Sequence, residues 1–187
     1  ICAAPILVVA SVAIILLDGR PVFFSQRRIG LNGKSFRFWK FRSMRKDSDE
    51  ILQWHLSRDS DALKEWNMYL RLDKDPRHLP VIGRALRKTS IDELPQLWNV
   101  LRGEMSLIGP RPLPIDQVSQ LTARAQAERT SVKPGLTGLW QVVGRGDTTI
   151  PTLERLDRLY ICNRSWKLDS WILFKTIPSV LSGKGAY

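Results

Sequence analysis

Soft metal ligands and disulfide partners are nearly missing from this chain of 187 residues, which has only two cysteines, Cys2 and Cys162, and two histidines, His55 and His78. Two isolated thiols build no disulfide framework and suit a reducing, cytoplasmic setting, and with no Cys/His cluster around them the histidines do not read as zinc ligands. Acid is also in short supply, with 18 Asp and Glu against 29 Lys and Arg and a net charge of +11. That excess points to polyanionic company: nucleic acid, anionic lipid or a phosphorylated substrate. No internal repeat or low-complexity tract is present. With 43% hydrophobic and 25% charged residues, the chain is long enough for a single domain with a real core.

Charge is missing altogether from residues 1–17, where Cys2 and Ser11 are the only interruptions of an apolar run. A helix of that length reaches roughly 25 Å at 1.5 Å per residue, short of a ~30 Å hydrocarbon core, and Pro5 kinks or breaks it near its start. A partial or bent insertion is therefore expected. Because the chain opens on Ile1, upstream sequence is expected to be absent, including the first half of this helix. The alternative, a cleaved signal peptide, lacks a basic n-region and a small-residue cleavage site before Asp18.

Basic residues accumulate directly after the apolar run: Arg20, Arg27, Arg28, Lys34, Arg37, Lys40, Arg42 and Arg45, against Asp18. This positive-inside pattern places residues 18–187 on the cytoplasmic face of a membrane. Val22-Phe23-Phe24 and Phe36-Arg37-Phe38-Trp39 flank Gly30-Leu31-Asn32-Gly33, the pattern of a β-hairpin, expected to carry its basic side chains on one face. Beyond it, Ile51, Leu52, Trp54, Leu63, Trp66 and Leu70 give a helical stripe broken near residues 57–60. Asp73 to Arg77 signals a turn, followed by a short basic helix over 84–88.

The centre of the chain carries the chemistry. In Thr89-Ser90-Ile91-Asp92-Glu93-Leu94-Pro95, Ser90 can cap a helix with Glu93 at its third position, which puts Asp92 in the first turn, where the helix dipole favours an ionised carboxylate. An ionised Asp can attack phosphorus without a partner base, and the acid pair can hold a divalent cation bridging a diphosphate. A plain capping box is the alternative. In Gly109-Pro110-Arg111-Pro112 the prolines fix φ on both sides of Arg111, whose guanidinium can then grip phosphate oxygens bidentately at little ordering cost. The stretch Lys133-Pro134-Gly135-Leu136-Thr137-Gly138 reads as a tight loop offering backbone N–H groups, with Gln141 and Arg145 on the turns that follow; these either serve the nucleotide or shape the chain. A helix over 152–161 carries Asp157, either part of the site or an i,i+3 or i,i+4 surface ion pair with neighbouring arginines. Trp166, Trp171, Leu173, Phe174, Ile177 and Val180 form an amphipathic segment, expected to be interrupted at Pro178, with Lys167 and Lys175 placed to snorkel into a headgroup layer.

Four blocks occur in one order: Lys40-Phe41-Arg42-Ser43-Met44; residues 89–100; Met105-Ser106-Leu107-Ile108-Gly109-Pro110-Arg111-Pro112; and residues 133–142. Together they resemble the bacterial sugar transferases, monotopic polyprenyl-phosphate phosphoglycosyl transferases, over nearly the whole chain from about Pro21 to Tyr187. The resemblance implies a mainly helical α+β domain with a small hairpin, anchored by a re-entrant N-terminal helix kinked here at Ala4-Pro5 and by interfacial amphipathic helices. It implies transfer of a hexose 1-phosphate from a UDP-sugar, galactose or glucose by the character of residues 139–141 and 183–187, to undecaprenyl phosphate with release of UMP, at the start of surface-polysaccharide assembly. It implies Asp92 as the nucleophile forming a covalent phosphoglycosyl-aspartate, and Mg²⁺ held by Asp92 and Glu93. Lys40, Arg42, Arg111, Gln141, Arg145 and Asp157 are the substrate-binding candidates, with a solvated basic face as the alternative for Lys40 and Arg42. The expected location is the cytoplasmic face of a bacterial inner membrane, and a homo-oligomer is compatible. The rival readings are a membrane-tethered nucleic-acid-binding module, since +11 and seven Trp would suit phosphate contacts and base stacking, and a non-catalytic scaffold.

Overall fold

Ala4–Asp18 forms α1, the first element in a computed structural model that describes residues 4–69, 72, 74–79, 82–144 and 148–182. Pro5 falls in its first turn, a position where the missing N–H costs no helical hydrogen bond. The residues upstream, where a kink would have to be judged, lie outside the described ones. α1 has 15 residues, about 22 Å, and among the described residues no helix is long and apolar enough to cross a membrane. Only one side of α1 is packed: Ala10 and Ile14 meet Phe41 and Leu86 in a small core, while Val8, Val9, Val12 and Leu16 stay exposed.

The expected hairpin is present. β1, Phe23–Ile29, pairs antiparallel with β2, Ser35–Phe41, in a register that sets Phe24 opposite Lys40 and Arg28 opposite Phe36. Asn32 at φ 55° and Gly33 at φ 73° make the turn, in the left-handed region that these residue types tolerate. The basic side chains are not confined to one face, contrary to expectation. Arg27 and Arg28 are consecutive and therefore point to opposite sides, Arg28 sharing its face with Lys40 and Arg27 sharing the other with Arg37.

α2, Ser48–Arg58, and α3, Ser60–Tyr69, are separated within the predicted break. Asp59 makes the break, its Oδ1 accepting from the Asp61 and Ala62 backbone N–H groups at 3.0 Å each. Leu52, Leu56, Ala62 and Leu72 form their core; Leu70 lies outside the described residues. α4, Gly83–Lys88, leads through a 3₁₀ turn at Ile91–Glu93 into α5, Gln96–Leu101.

The stretch expected to be an N–H-offering loop is instead a strand. β4, Gly135–Thr137, lies parallel to β3, Ser106–Ile108, and its Gly135 N–H is spent on the Pro110 carbonyl at 2.9 Å. The glycines explain the geometry, because a Cβ on Gly135 would run into the backbone of Gly109. α6, Ile115–Val118, and α7, Ala123–Thr130, pack on α9, Ile150–Cys162, through Leu113, Leu121, Ala125 and Leu153. α8, Leu139–Val143, sits between them and α10, Trp166–Ser182. Pro178 does not interrupt α10, which continues through it; one lost backbone bond near a helix end leaves the neighbouring turns intact. The architecture is a mostly helical α+β domain with two small two-stranded sheets.

Candidate active site

Asp92 and Glu93 stand on the 3₁₀ turn between α4 and α5, with only Thr89-Ser90 before it and Leu94-Pro95 after it. Ser90 does not cap this turn as the S-x-x-E spacing predicts. Its backbone is left-handed, at φ 55° and ψ 17°, and its side chain makes no capping bond. The reason is that Ser90 ends α4, donating its N–H to the Arg87 carbonyl at 2.9 Å, and a chain leaving one helix and entering the next at a single residue must reverse there; an N-cap needs extended backbone. Glu93 is thereby released from capping, and its carboxylate turns to other partners.

Those partners come from three directions. β2 delivers Lys40, whose Nζ is 3.2 Å from Glu93 Oε1 and 3.6 Å from Asp92 Oδ2. The turn after β3 delivers Arg111, which forks onto Glu93, Nη1 donating to Oε2 at 2.8 Å and Nη2 to Oε1. α4 contributes Arg87, half-buried, whose guanidinium makes no hydrogen bond among the described residues yet acts electrostatically on Asp92, Glu93 and Lys40. Three cations thus face two carboxylates. Asp92 is only 3% exposed.

The charges respond to this packing. Burial pushes the Asp92 carboxyl above its ordinary range, opposed by Lys40 and reinforced by the charge on Glu93. Burial acts the same way on Glu93, but the Arg111 guanidinium and the Lys40 ammonium outweigh it and hold that carboxyl well below its ordinary range. Lys40 is lowered by burial, which Glu93 and Asp92 do not fully offset. Two neighbouring acids are therefore driven apart, one firmly anionic and one easily protonated, the pattern of carboxylates with divided roles. This corrects the expectation of an Asp92 kept ionised by a helix dipole: the turn is one short 3₁₀ segment, and desolvation dominates.

Arg111 is aimed by its surroundings as well as by its prolines. Its carbonyl accepts from Arg129 Nη2 of α7, and Arg129 Nη1 pairs with Asp157 of α9. Arg28 Nη1 of β1 donates to the Pro112 carbonyl at 3.1 Å. Asp157, 2% exposed, is accordingly no surface ion pair with its helical neighbours; it acts on the site through Arg129 and the Arg111 backbone. Burial pushes Arg129 down to about 10, which leaves it charged at neutral pH.

Arg42 belongs elsewhere. Its Nη1 pairs with Asp18 Oδ2 at 2.5 Å, while Nε and Nη2 donate to the carbonyls of Pro21, Asp18 and Gly19 at 2.6–3.0 Å. A buried guanidinium with its donors spent on the C-terminal end of α1 satisfies orphan carbonyls and the helix dipole, so Arg42 fastens the apolar helix to the hairpin and reaches neither Asp92 nor Glu93. Arg77 is similarly committed, to Asp75 at 2.5–3.0 Å. Arg145 lies outside the described residues.

Beside Glu93 opens a cleft of about 380 Å³, walled by Leu94, Leu107, Leu136, Val142, Leu173 and Val180. Gln141 is on its wall; Nε2 donates to the Leu136 carbonyl at 3.3 Å, and its buried Oε1 has no partner. No cluster of three or more His, Cys, Asp or Glu suited to a metal occurs among the described residues. An ion such as Mg²⁺ uses one or two protein carboxylates and takes other ligands from phosphate and water, and the Asp92-Glu93 pair meets that modest requirement.

Sequence reasoning missed Arg87, Arg129 and Arg28. Arg87 was within reach of it, as a cation in a short basic helix five residues before Asp92. The other two are long-range partners of backbone carbonyls and carry no local signal.

Comparison with known proteins agrees with this geometry. The family description "Bacterial sugar transferase" matches residues 1–183. The exopolysaccharide production protein ExoY of Rhizobium meliloti is 46% identical over 170 residues, 91% of this chain and 74% of that protein. The undecaprenyl-phosphate galactose phosphotransferase of Salmonella typhimurium is 43% identical over 193 residues, covering 100% of this chain and 40% of the relative. The UDP-glucose:undecaprenyl-phosphate glucose-1-phosphate transferase of Klebsiella pneumoniae is 37% identical over 198 residues, again 100% of this chain, and 38% of the relative. The chain thus spans about three quarters of the first protein and two fifths of the other two. With a family match across almost its full length and relatives more than 40% identical over nearly all of it, this chain belongs to the bacterial sugar transferases and is an enzyme of that class.

Proposed function

We propose that this chain transfers a hexose 1-phosphate from a UDP-sugar to undecaprenyl phosphate and releases UMP, by way of a covalent phosphoglycosyl-aspartate on Asp92. The observation that carries the reading is the surplus of positive charge around a buried carboxylate: Lys40, Arg87 and Arg111 against Asp92 and Glu93. A site that only stabilised the fold would balance its charges. This one has capacity for a further anion, and the names of the Salmonella and Klebsiella relatives, an undecaprenyl-phosphate galactose phosphotransferase and a UDP-glucose:undecaprenyl-phosphate glucose-1-phosphate transferase, support reading that anion as a sugar nucleotide or a lipid phosphate.

The residues divide the work. Asp92 Oδ attacks the β-phosphorus, and the bond from that phosphorus to the bridging oxygen breaks, so that the oxygen leaves on UMP. Arg111, held in line by Glu93, and Arg87, with no hydrogen bond to give up, stabilise charge gathering on the phosphoryl oxygens. An oxygen of the lipid phosphate then attacks the same phosphorus, breaking the acyl-phosphate bond and restoring the Asp92 carboxylate. Lys40 favours the ionised form of Asp92 before each cycle. Asp92 and Glu93 would hold Mg²⁺, which when bound neutralises diphosphate charge; Glu93 would have to exchange a contact with Arg111 or Lys40 to take part. Gln141 Oε1 is an available acceptor for a substrate hydroxyl.

The membrane assignment rests on exposed apolar side chains. Val8, Val9, Val12, Ile15, Leu16 and Leu17 on α1 and Trp166, Phe174 and Ile177 on α10 would otherwise face water. Lys167 and Lys175 lie 5.8 and 5.9 Å from the rings of Trp166 and Trp171, an arrangement suited to a headgroup layer. Pro5 near the start of α1 and the basic residues that follow the helix support re-entry to the cytoplasmic face.

UMP release from purified protein tests the reading. UDP-galactose or UDP-glucose with Mg²⁺ should give one equivalent of UMP per enzyme without lipid, and turnover when undecaprenyl phosphate is added. No UMP from any UDP-hexose would overturn the proposal, and a strictly ternary kinetic pattern would overturn its covalent step.

A further inference from the structure

We propose that the cleft beside Glu93 receives the first isoprene units of the lipid acceptor, an inference that rests on the transferase reading above. Its volume of about 380 Å³ lies within the range of small-ligand sites, roughly 300–1,000 Å³. Its walls come from four separate parts of the chain: Leu94 after the acid turn, Leu107 on β3, Leu136 on β4, and Leu173 with Val180 on α10.

The polar side chains in these walls are largely spoken for. Thr176 donates its hydroxyl to the Ile172 carbonyl at 2.8 Å and accepts from Thr137 at 2.8 Å, so neither threonine offers a free donor. Gln141 Oε1 is an unpartnered acceptor on this wall and could take one hydroxyl or N–H, but a uracil or ribose seated here would leave most of its other polar groups against leucine and valine, which apolar walls penalise. A hydrocarbon would not.

Two parts of the cleft lining differ in a way that selects one kind of occupant. Ile6 on α1 and Leu173 on α10 line the cleft and are also 45% and 42% exposed. They make the cleft continuous with the apolar surface that α1 and α10 present, so a chain can pass from that surface into the cleft without crossing water. Ser90 and Glu93 also line it, and Glu93 is held by Lys40 and Arg111. A molecule with an anionic head and a flexible hydrocarbon tail satisfies both parts at once: the phosphate reaches the cations, and the isoprene units displace water from leucine and valine side chains. The arrangement also fits the packing of Ile91, next to Asp92, on the small core that holds α1.

The test separates lipid from donor in the full chain reconstituted in phospholipid nanodiscs. Leu107→Trp and Leu173→Trp, which fill the cleft from opposite walls, should raise the KM for undecaprenyl phosphate by about tenfold, the loss expected when roughly two methylene-sized groups are excluded. The UMP burst from UDP-hexose in the absence of lipid should be unchanged, and Leu107→Met should behave like the parent. In the unmodified enzyme, farnesyl phosphate should compete with undecaprenyl phosphate and methyl phosphate should not. An unchanged lipid KM in both Trp variants would overturn the assignment, as would equal competition by the two small phosphates. A raised KM for UDP-hexose with the lipid KM intact would give the cleft to the donor and overturn it as well. Absence of any burst in the parent enzyme would instead refute the transferase reading, and this inference would fall with it.

Discussion

Two buried acid-arginine centres lie on either side of Arg111, and they are built to opposite specifications. In one, Arg129 pairs with Asp157 through Nη1 and donates through Nη2 to the Arg111 carbonyl, with Glu154 adding a second negative charge nearby. Positive charge is matched by carboxylate there, and no cation is in excess. In the other, Asp92 and Glu93 share Lys40, Arg111 and Arg87, with one positive charge in excess once Asp75 is counted with its partner Arg77, and the Arg87 guanidinium makes no hydrogen bond among the described residues. A closed centre of this kind acts as a brace and an open one as a receptor. Burial alone does not tell them apart, since Asp92 and Asp157 are 3% and 2% exposed; the balance of partners does.

The sharpest way to separate the centres is to remove one charge from each. Asp92→Asn should abolish UMP release and labelling of the protein by sugar phosphate while leaving thermal stability equal to or above that of the parent, because it removes a carboxylate whose ionised form is disfavoured by burial. Substantial turnover in the folded variant would end the case for a nucleophilic Asp92. Asp157→Asn should do the reverse in emphasis, costing about 3–5 kcal/mol by leaving Arg129 buried without its counter-ion, measurable as a lower urea midpoint. Residual activity should persist, with Arg111 less well placed. If urea denaturation finds the variant as stable as the parent, the brace is no brace.

Smaller effects should distinguish members of the open centre. Glu93→Gln should lower the rate and weaken its Mg²⁺ dependence together; identical Mg²⁺ titrations in the two forms would show that Glu93 serves only to hold Arg111 and Lys40. Lys40→Met should shift the pH profile. Burial raises Asp92, so its reactive carboxylate is lost on acidification at a higher pH than for an exposed Asp, and activity should climb with pH on that limb. Lys40 opposes the rise, so removing it should move the acid limb of kcat/KM further toward neutral pH. An unmoved limb would mean that Lys40 acts on substrate alone.

The same contrast shows what was legible in advance. Asp92, Glu93, Lys40 and Arg111 were found because each lies in a short block whose residue types state a chemistry: adjacent acids, a cation closing a hairpin, an arginine held between prolines. Arg42 lies in an equally suggestive block, two residues after Lys40, and was drawn into the same site. Residues two apart share a strand face only while the strand continues, and β2 ends at Phe41, so Arg42 turns away to the end of α1. Ser90 failed similarly, because a capping box is a local pattern and cannot register that the preceding helix needs the same residue to stop.

The sequence alone determined the elements whose causes are local: the apolar helix, the Asn32-Gly33 hairpin, the break at Asp59, the helix carrying Asp157, and the adjacent acid pair Asp92-Glu93. Tertiary structure alone decided which cations are spent and which are free, that residues 135–137 form a strand against β3, that Arg129 ties Asp157 to Arg111, and that an apolar cleft runs from the acids to α1 and α10. The physical reason is the reach of the interactions. Helix periodicity, turn geometry and capping act over a few residues and are written in neighbouring letters. Desolvation and charge balance depend on everything within several ångströms, and here those neighbours come from positions as far apart as Ile6, Lys40, Asp92, Arg111 and Leu173.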